Sequence, residues 1–193
     1  MCNRCNWATG NKKMMEYHDT EWGVPLHDDQ KLFEFLVLEG FQAGLSWQIV
    51  LNKREAFREA FDGFDPETVA LYDEEKLNEL INNAAIIRNR QKLAACVTNA
   101  RCFNKVREEF GSFDAYIWGF TDNKPIMNAY TGMEEVPAKT KLSDKISADM
   151  KKRGFRFTGS TIIYAHMQAT GMVNDHLTSC FRYEEIIKNY SNI

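Results

Sequence analysis

Apolar residues recur three and four positions apart along most of the chain, and no stretch alternates convincingly with the period of two that a half-buried strand requires. That pattern confines 193 residues to helix-on-helix packing. From Asp29, the stripe Leu32, Phe33, Leu36 and Val37 predicts a helix ending near Gly40. Gln42-Ala43-Gly44-Leu45 reads as a break, after which Ser46 caps a helix carrying Ile49, Val50, Phe57 and Phe61. Asp65-Pro66 opens another helix, and Asp73 precedes the stripe Leu77, Leu80 and Ile81. Ile87 to Phe103, with Leu93, Val97 and Ala100, spans several turns, and Ser112 starts a short aromatic helix with Phe113, Tyr116 and Trp118. Between Thr121 and Lys141, Asn123, Pro125, Gly132 and Pro137 interrupt every period and predict a loop across the surface. Ser143 then opens a helix with Ile146 and Met150 that Gly154 ends as a left-handed cap. Thr158-Gly159 precedes an apolar helix from Thr161 to Ala169, and the residues after Cys180 form a short amphipathic tail. The expected fold is all-α, one domain over residues 1–193.

With 44% hydrophobic side chains, the chain can bury a substantial core. No apolar run approaches the roughly 18 residues of a membrane span, and the N-terminus lacks a signal-peptide hydrophobic region, so a cytoplasmic protein is expected. Five cysteines, an odd number standing beside histidines at both ends, fit thiols and metal ligands better than a secreted disulfide framework. A net charge of -3 excludes a polybasic nucleic-acid coat, so any nucleic-acid site must be local. The basic clusters Lys151, Lys152, Arg153, Arg156 and Arg88, Arg90, Lys92 read, by themselves, as solvated helix faces.

Two constellations carry chemistry. Cys5 and His18 near the start and His176 and Cys180 near the end are all zinc-capable, and His176-x3-Cys180 places two ligands one helical turn apart. That spacing alone is a weak signal, and Cys2 offers an alternative: either Cys5, His18, His176 and Cys180 form a Cys2His2 site, or Cys2 replaces His18. The second constellation is aromatic. Trp7, Tyr17, Trp22 and Trp47 crowd the first quarter of the chain, where they serve equally as core or as faces for a flat base. Glu39 follows Leu36, Val37 and Leu38 at the negative end of an apolar helix, so if buried it must be paired or functional.

Tyr17-His18-Asp19-Thr20-Glu21-Trp22-Gly23-Val24-Pro25, Leu38-Glu39-Gly40-Phe41-Gln42-Ala43-Gly44-Leu45-Ser46-Trp47, Lys152-Arg153-Gly154-Phe155-Arg156-Phe157-Thr158-Gly159 and Gly171-Met172-Val173-Asn174-Asp175-His176 together resemble the DNA-3-methyladenine glycosylase I family, in the same order from about Cys5 to Cys180. The resemblance implies a helix-hairpin-helix glycosylase-like helical domain, its hairpin at about 151–161, whose two ends are joined by one structural Zn2+ on Cys5, His18, His176 and Cys180, with Cys2 outside the set. It places Glu39 and Tyr17 as the residues acting on the base, Trp47 and, with less support, Trp7 and Trp22 around it, and Met14 where relatives often carry tyrosine. It also implies DNA contacts from the Gly44-Leu45 turn and from Lys152, Arg153, Gly154 and Gly159.

The implied activity is monofunctional base excision repair: the alkylated nucleotide flips out of double-stranded DNA, the charged base departs, water attacks the sugar, and 3-methyladenine is released. No lysine at the hairpin supports lyase chemistry, and Asp175, beside a proposed metal ligand, is expected to be structural. A zinc-stabilised nucleic-acid-binding module without catalysis is the alternative, and four protein ligands argue against a catalytic zinc. A monomer without membrane association is expected.

Overall fold

The computed structural model describes residues 3–190. Eleven α-helices follow one another among the described residues: α1 Lys12–Thr20, α2 Asp29–Gln42, α3 Trp47–Asn52, α4 Arg54–Ala60, α5 Pro66–Ala70, α6 Glu74–Asn82, α7 Arg90–Phe110, α8 Phe113–Trp118, α9 Lys141–Lys152, α10 Ser160–Ala169 and α11 Phe181–Tyr190. None of these helices is long and apolar enough to cross a membrane.

Local chemistry accounts for most helix starts. Asp28, Asp65, Asp73, Asn89 and Ser112 each accept backbone N–H groups of the first turn. Thr140 and Ser143 form a reciprocal capping box, so α9 begins before Ser143, which is its third residue. At the other end of α9, the amides of Gly154 and Phe155 bond the carbonyls of Lys151 and Met150, a Schellman closure that needs the left-handed φ of 95° at Gly154.

Helix α2 is buried on nearly every side, with Leu32, Phe33, Leu36, Val37, Leu38 and Phe41 inaccessible or almost so. A helix apolar all round belongs at the centre of a domain, and α2 packs against α3, α7, α8 and α10. The main core joins it to Phe57, Phe61, Phe103, Phe113, Ile146, Ile163 and Met167. A smaller cluster beside it gathers Cys5, Tyr17, Trp22, Phe35, Leu177 and Cys180, drawing the two ends of the chain together. The Phe181 amide also donates to the Asn3 carbonyl at 3.0 Å.

Three expectations are corrected, and one helix was not foreseen. Helix α2 continues through Gly40 to Gln42. The single helix expected from Ser46 to Phe61 divides at Lys53 (φ -99°, ψ 2°), where the backbone leaves the α region although the apolar spacing continues. Helix α1, capped by Asn11, gives no apolar stripe because its buried residues are Tyr17 and His18. Within the expected surface loop, β1 Ile126–Met127 pairs in parallel with β2 Val173–Asn174, anchoring the segment against the chain's far end.

Candidate active site

Cys5, His18, His176 and Cys180 converge from α1 and the two chain ends, all buried, with their ligand atoms within 4.8 Å of one another. Cys180 Sγ lies 3.5 Å from His18 Nε2 and 3.6 Å from His176 Nδ1, while Cys5 Sγ lies 3.7 Å from His176 Nδ1. The outward nitrogens are also held: His18 Nδ1 faces Asp19 at 2.8 Å, and His176 Nε2 faces the Trp22 carbonyl at 2.9 Å. If each outer nitrogen donates, the inner one presents a lone pair, the tautomer a metal ligand needs. The Cys5 thiol, with His176 and His18, holds Cys180 well below the ordinary thiol range, and Cys5 is pushed up in turn. These four residues could hold a metal ion. Cys2 lies outside the described residues.

A cavity of about 410 Å³ opens beside this cluster. Trp7, Met14, Tyr17, Trp22 and Trp47 contribute to its wall, with Glu39 and Gln42 from α2. The rings of Tyr17 and Trp47 lie 5.3 Å apart, and Trp7 meets Trp22 edge-on at 5.0 Å. Trp22 also meets the His176 ring at 4.7 Å, so the pocket wall packs directly on the residues of the cluster. Glu39 is 3% exposed, and its Oε2 has no hydrogen-bond partner. Burial pushes its carboxyl up to about 8. Tyr17 is pushed up as well, first by burial and then by the charges of Glu39 and Glu21. The Trp47 indole N–H is also buried and unpartnered, so two polar atoms on the wall await a partner.

Half of the wall was not singled out in the sequence. Thr161, Tyr164, Ala165 and Gln168 form one face of α10, and Met133, Val136, Pro137 and Ala138 come from the irregular segment before α9. The helical spacing of Thr161, Tyr164 and Gln168 within an otherwise apolar helix was a legible signal. Asp175 is wholly buried and accepts from Tyr164 Oη at 2.6 Å, Gln168 Nε2 at 2.8 Å and Asn128 Nδ2 at 2.6 Å. Two of those donors belong to pocket residues, so Asp175 orients the wall.

Gly44 and Leu45 are exposed on the α2–α3 turn next to this cavity. Lys151 and Lys152 are exposed at the end of α9. Arg153, expected on the same surface, is instead engaged by Glu109 at 2.6 Å and Asp149 at 2.8 Å and lies over the Phe110 and Tyr116 rings. Its charge is answered within the fold. The Gly154 amide is likewise used by the helix cap, and the Arg156 amide donates to Asn99 Oδ1. Gly159 N-caps α10, and a Cβ there would meet nothing within 4 Å. Lys92, read as part of a solvated face, is 8% exposed.

The helical domain thus presents an aromatic-walled cavity with a buried carboxyl group facing it and a Cys2His2 cluster behind it. The chain belongs to the methyladenine glycosylase family, whose model matches residues 7–183. It is 45% identical over 180 residues to DNA-3-methyladenine glycosylase 1 of Escherichia coli, covering 93% of this chain and 96% of the relative. A DNA-3-methyladenine glycosylase of Haemophilus influenzae is also 45% identical, covering 93% and 97%. The solved 3-methyladenine DNA glycosylase I of Staphylococcus aureus, a structure addressing 3-methyladenine recognition, superposes with a TM-score of 0.90 at 34% identity, covering 93% of this chain and 96% of that one.

Proposed function

We propose that this protein is a monofunctional DNA glycosylase that flips 3-methyladenine out of double-stranded DNA and hydrolyses its N-glycosidic bond. The observation that carries the reading is the unpartnered, buried Oε2 of Glu39 on an aromatic-walled cavity. Methylation at N3 gives the adenine a positive charge and makes it a good leaving group, so the enzyme's main task is selection rather than protonation. Glu39 accepts from the exocyclic amine, while Tyr17 and Trp47 cover the ring faces and Trp7 and Trp22 close the side. Cation–π attraction to such walls favours the charged lesion by about 1–2 kcal/mol. Water then attacks C1′ of the sugar, the C–N bond breaks, the electron pair leaves with the base and neutralises its charge, and the added water gives up a proton to solvent.

The four-residue cluster fits zinc. With Zn–S near 2.3 Å and Zn–N near 2.0–2.1 Å, tetrahedral geometry puts sulfur and nitrogen about 3.5–3.6 Å apart. Three of the four Cys–His separations are 3.5, 3.6 and 3.7 Å, and all four ligand atoms lie within 4.8 Å of one another. Four protein ligands leave no open position, which supports a structural ion that ties the chain's ends together behind Trp22. Free thiol ligands fit a reducing, cytoplasmic setting. On the DNA side, the Gly44-Leu45 turn is the wedge for the gap left by the flipped base. Lys152 and the amides of Phe157 to Gly159 at the start of α10 engage a phosphate, as the hairpin of a helix-hairpin-helix does.

Incubating the protein with methylated duplex DNA and analysing the released bases tests the reading. Release of 3-methyladenine with abasic sites and intact strands is expected. Binding without release would leave a non-catalytic module.

A further inference from the structure

Two buried polar side chains on α7 have no role in the excision chemistry, yet they hold the backbone of the α2–α3 turn and of the α9–α10 connection. Lys92 Nζ donates to the carbonyls of Phe41 at 2.9 Å and Ala43 at 2.7 Å, at the end of α2. Asn99, 5% exposed, donates from Nδ2 to the Arg156 carbonyl at 2.9 Å and accepts the Arg156 N–H on Oδ1 at 2.7 Å. Lys92 and Asn99 stand seven residues apart, so both lie on one face of α7 about two turns from each other. Phe157 packs into the same seam, 3.7 Å from where a Cβ on Gly40 would sit.

The local geometry shows what each contact controls. The Leu45 amide closes a turn on the Gln42 carbonyl, with Ala43 at φ -49°, ψ 112° and Gly44 at φ 80°. That is a type II turn, which differs from type I by a flip of its central peptide. Lys92 holds the carbonyl of that peptide, so a flip would strip a nearly buried ammonium of an acceptor. The Gly44 N–H on the opposite side of the same peptide then points away from Lys92. At the other loop, Asn99 closes both backbone bonds of Arg156 immediately before Phe157, whose φ of 55° lies in a region that bulky side chains avoid.

We propose that Lys92 and Asn99 are positioning residues for excision, making α7 a jig that fixes the α2–α3 turn and the α9–α10 connection at the spacing a single DNA duplex requires. Neither residue lines the base cavity beside the cluster, so the base and the duplex should respond differently. This inference rests on the reading of those two loops as the DNA-facing surface.

The test compares Lys92→Met and Asn99→Leu with wild type by three measurements: free 3-methyladenine binding from tryptophan fluorescence, thermal unfolding, and single-turnover excision across a range of methylated-duplex concentrations. Lys92→Met should lower the saturating excision rate about tenfold or more, since small misplacements of a substrate-gripping element have effects of that size. Asn99→Leu should raise the half-saturating DNA concentration to a similar degree. Free-base affinity should stay within about twofold in both. Lys92→Arg, which keeps the charge and donors, should recover part of the rate. Gly44→Ala perturbs the same turn from its exposed side, where a Cβ meets nothing within 4 Å, and should reproduce the loss even if Lys92→Met folds poorly. Loss of free-base affinity in parallel with excision, or excision at the wild-type rate in Lys92→Met and Asn99→Leu while Leu45→Gly and Lys152→Ala are impaired, would overturn the inference. Normal excision by Leu45→Gly and Lys152→Ala would instead refute the DNA-facing reading beneath it.

Discussion

The burial of Glu39 underlies both the selectivity proposed for it and a stability signature. In the proposed reading, the positive charge of the bound base draws the proton off Glu39, so its carboxylate accepts from adenine's amine and would oppose guanine's carbonyl, a mismatch of about 1–3 kcal/mol. Glu39→Ala should therefore slow 3-methyladenine excision at least about tenfold with fold and metal content intact. Glu39→Gln should retain more activity, because its carboxamide oxygen can still accept one hydrogen bond. Single-turnover release of 3-methyladenine and 7-methylguanine measures this, and efficient 7-methylguanine release by the wild type would count against Glu39 as selector. The raised carboxyl also makes stability depend on pH. Its ordinary value is 4.5 and the folded value about 8, so the folded state holds the proton more tightly. That contribution is complete below about 4.5 and is lost as pH rises through about 8. Relative to Glu39→Gln, the wild type should lose up to about 1.4 kcal/mol for each pH unit across that window, as read by denaturant unfolding at pH 5, 7 and 9.

At the level of elements, the α9–α10 connection is shaped by its own caps. Schellman closure uses the amides of Gly154 and Phe155, Asn99 takes that of Arg156, and Arg153 is bound to Glu109 and Asp149. The basic side chains left facing outward there are Lys151, Lys152 and Arg156. Lys152→Ala should weaken binding to unrelated sequences about equally and make the salt dependence shallower by up to about 1 in log–log slope. Arg153→Ala should act chiefly on stability by releasing α9 from α7, which unfolding and a salt titration of DNA affinity would distinguish. A salt slope that falls for Arg153→Ala as much as for Lys152→Ala would return Arg153 to the phosphate contacts.

Across the whole molecule, the Cys2His2 cluster joins segments more than 150 residues apart in the chain, so an ion there restrains a very long loop. Because Trp22 packs on His176 and also lines the cavity, loss of the metal should loosen base binding as well as the fold. Cys180→Ala should lose the ion, lower the melting temperature and weaken free 3-methyladenine affinity. Cys2→Ser should keep one zinc per chain by metal analysis, and zinc loss in that variant would place Cys2 among the ligands.

Helix class and most helix starts were legible because caps and apolar spacing act over a few residues: Asp65, Asp73 and Ser112 each cap the helix expected after them. Residue type and spacing left Cys2 as an alternative at the candidate metal cluster, and the family resemblance named Cys5, His18, His176 and Cys180, which the structure brings together; Glu39 stood out as a carboxylate placed where a helix should be apolar, and it is buried. Helix α1 was hidden because its buried side is tyrosine and histidine, and the break at Lys53 because apolar spacing runs through it. Tertiary structure alone decided that Arg153 is paired away, that Lys92 is buried against two carbonyls, and that Met133 to Ala138 form a pocket wall. Each of these depends on a partner tens of residues distant, and the energy of a charge or an irregular segment is set by what encloses it rather than by its neighbours in the chain.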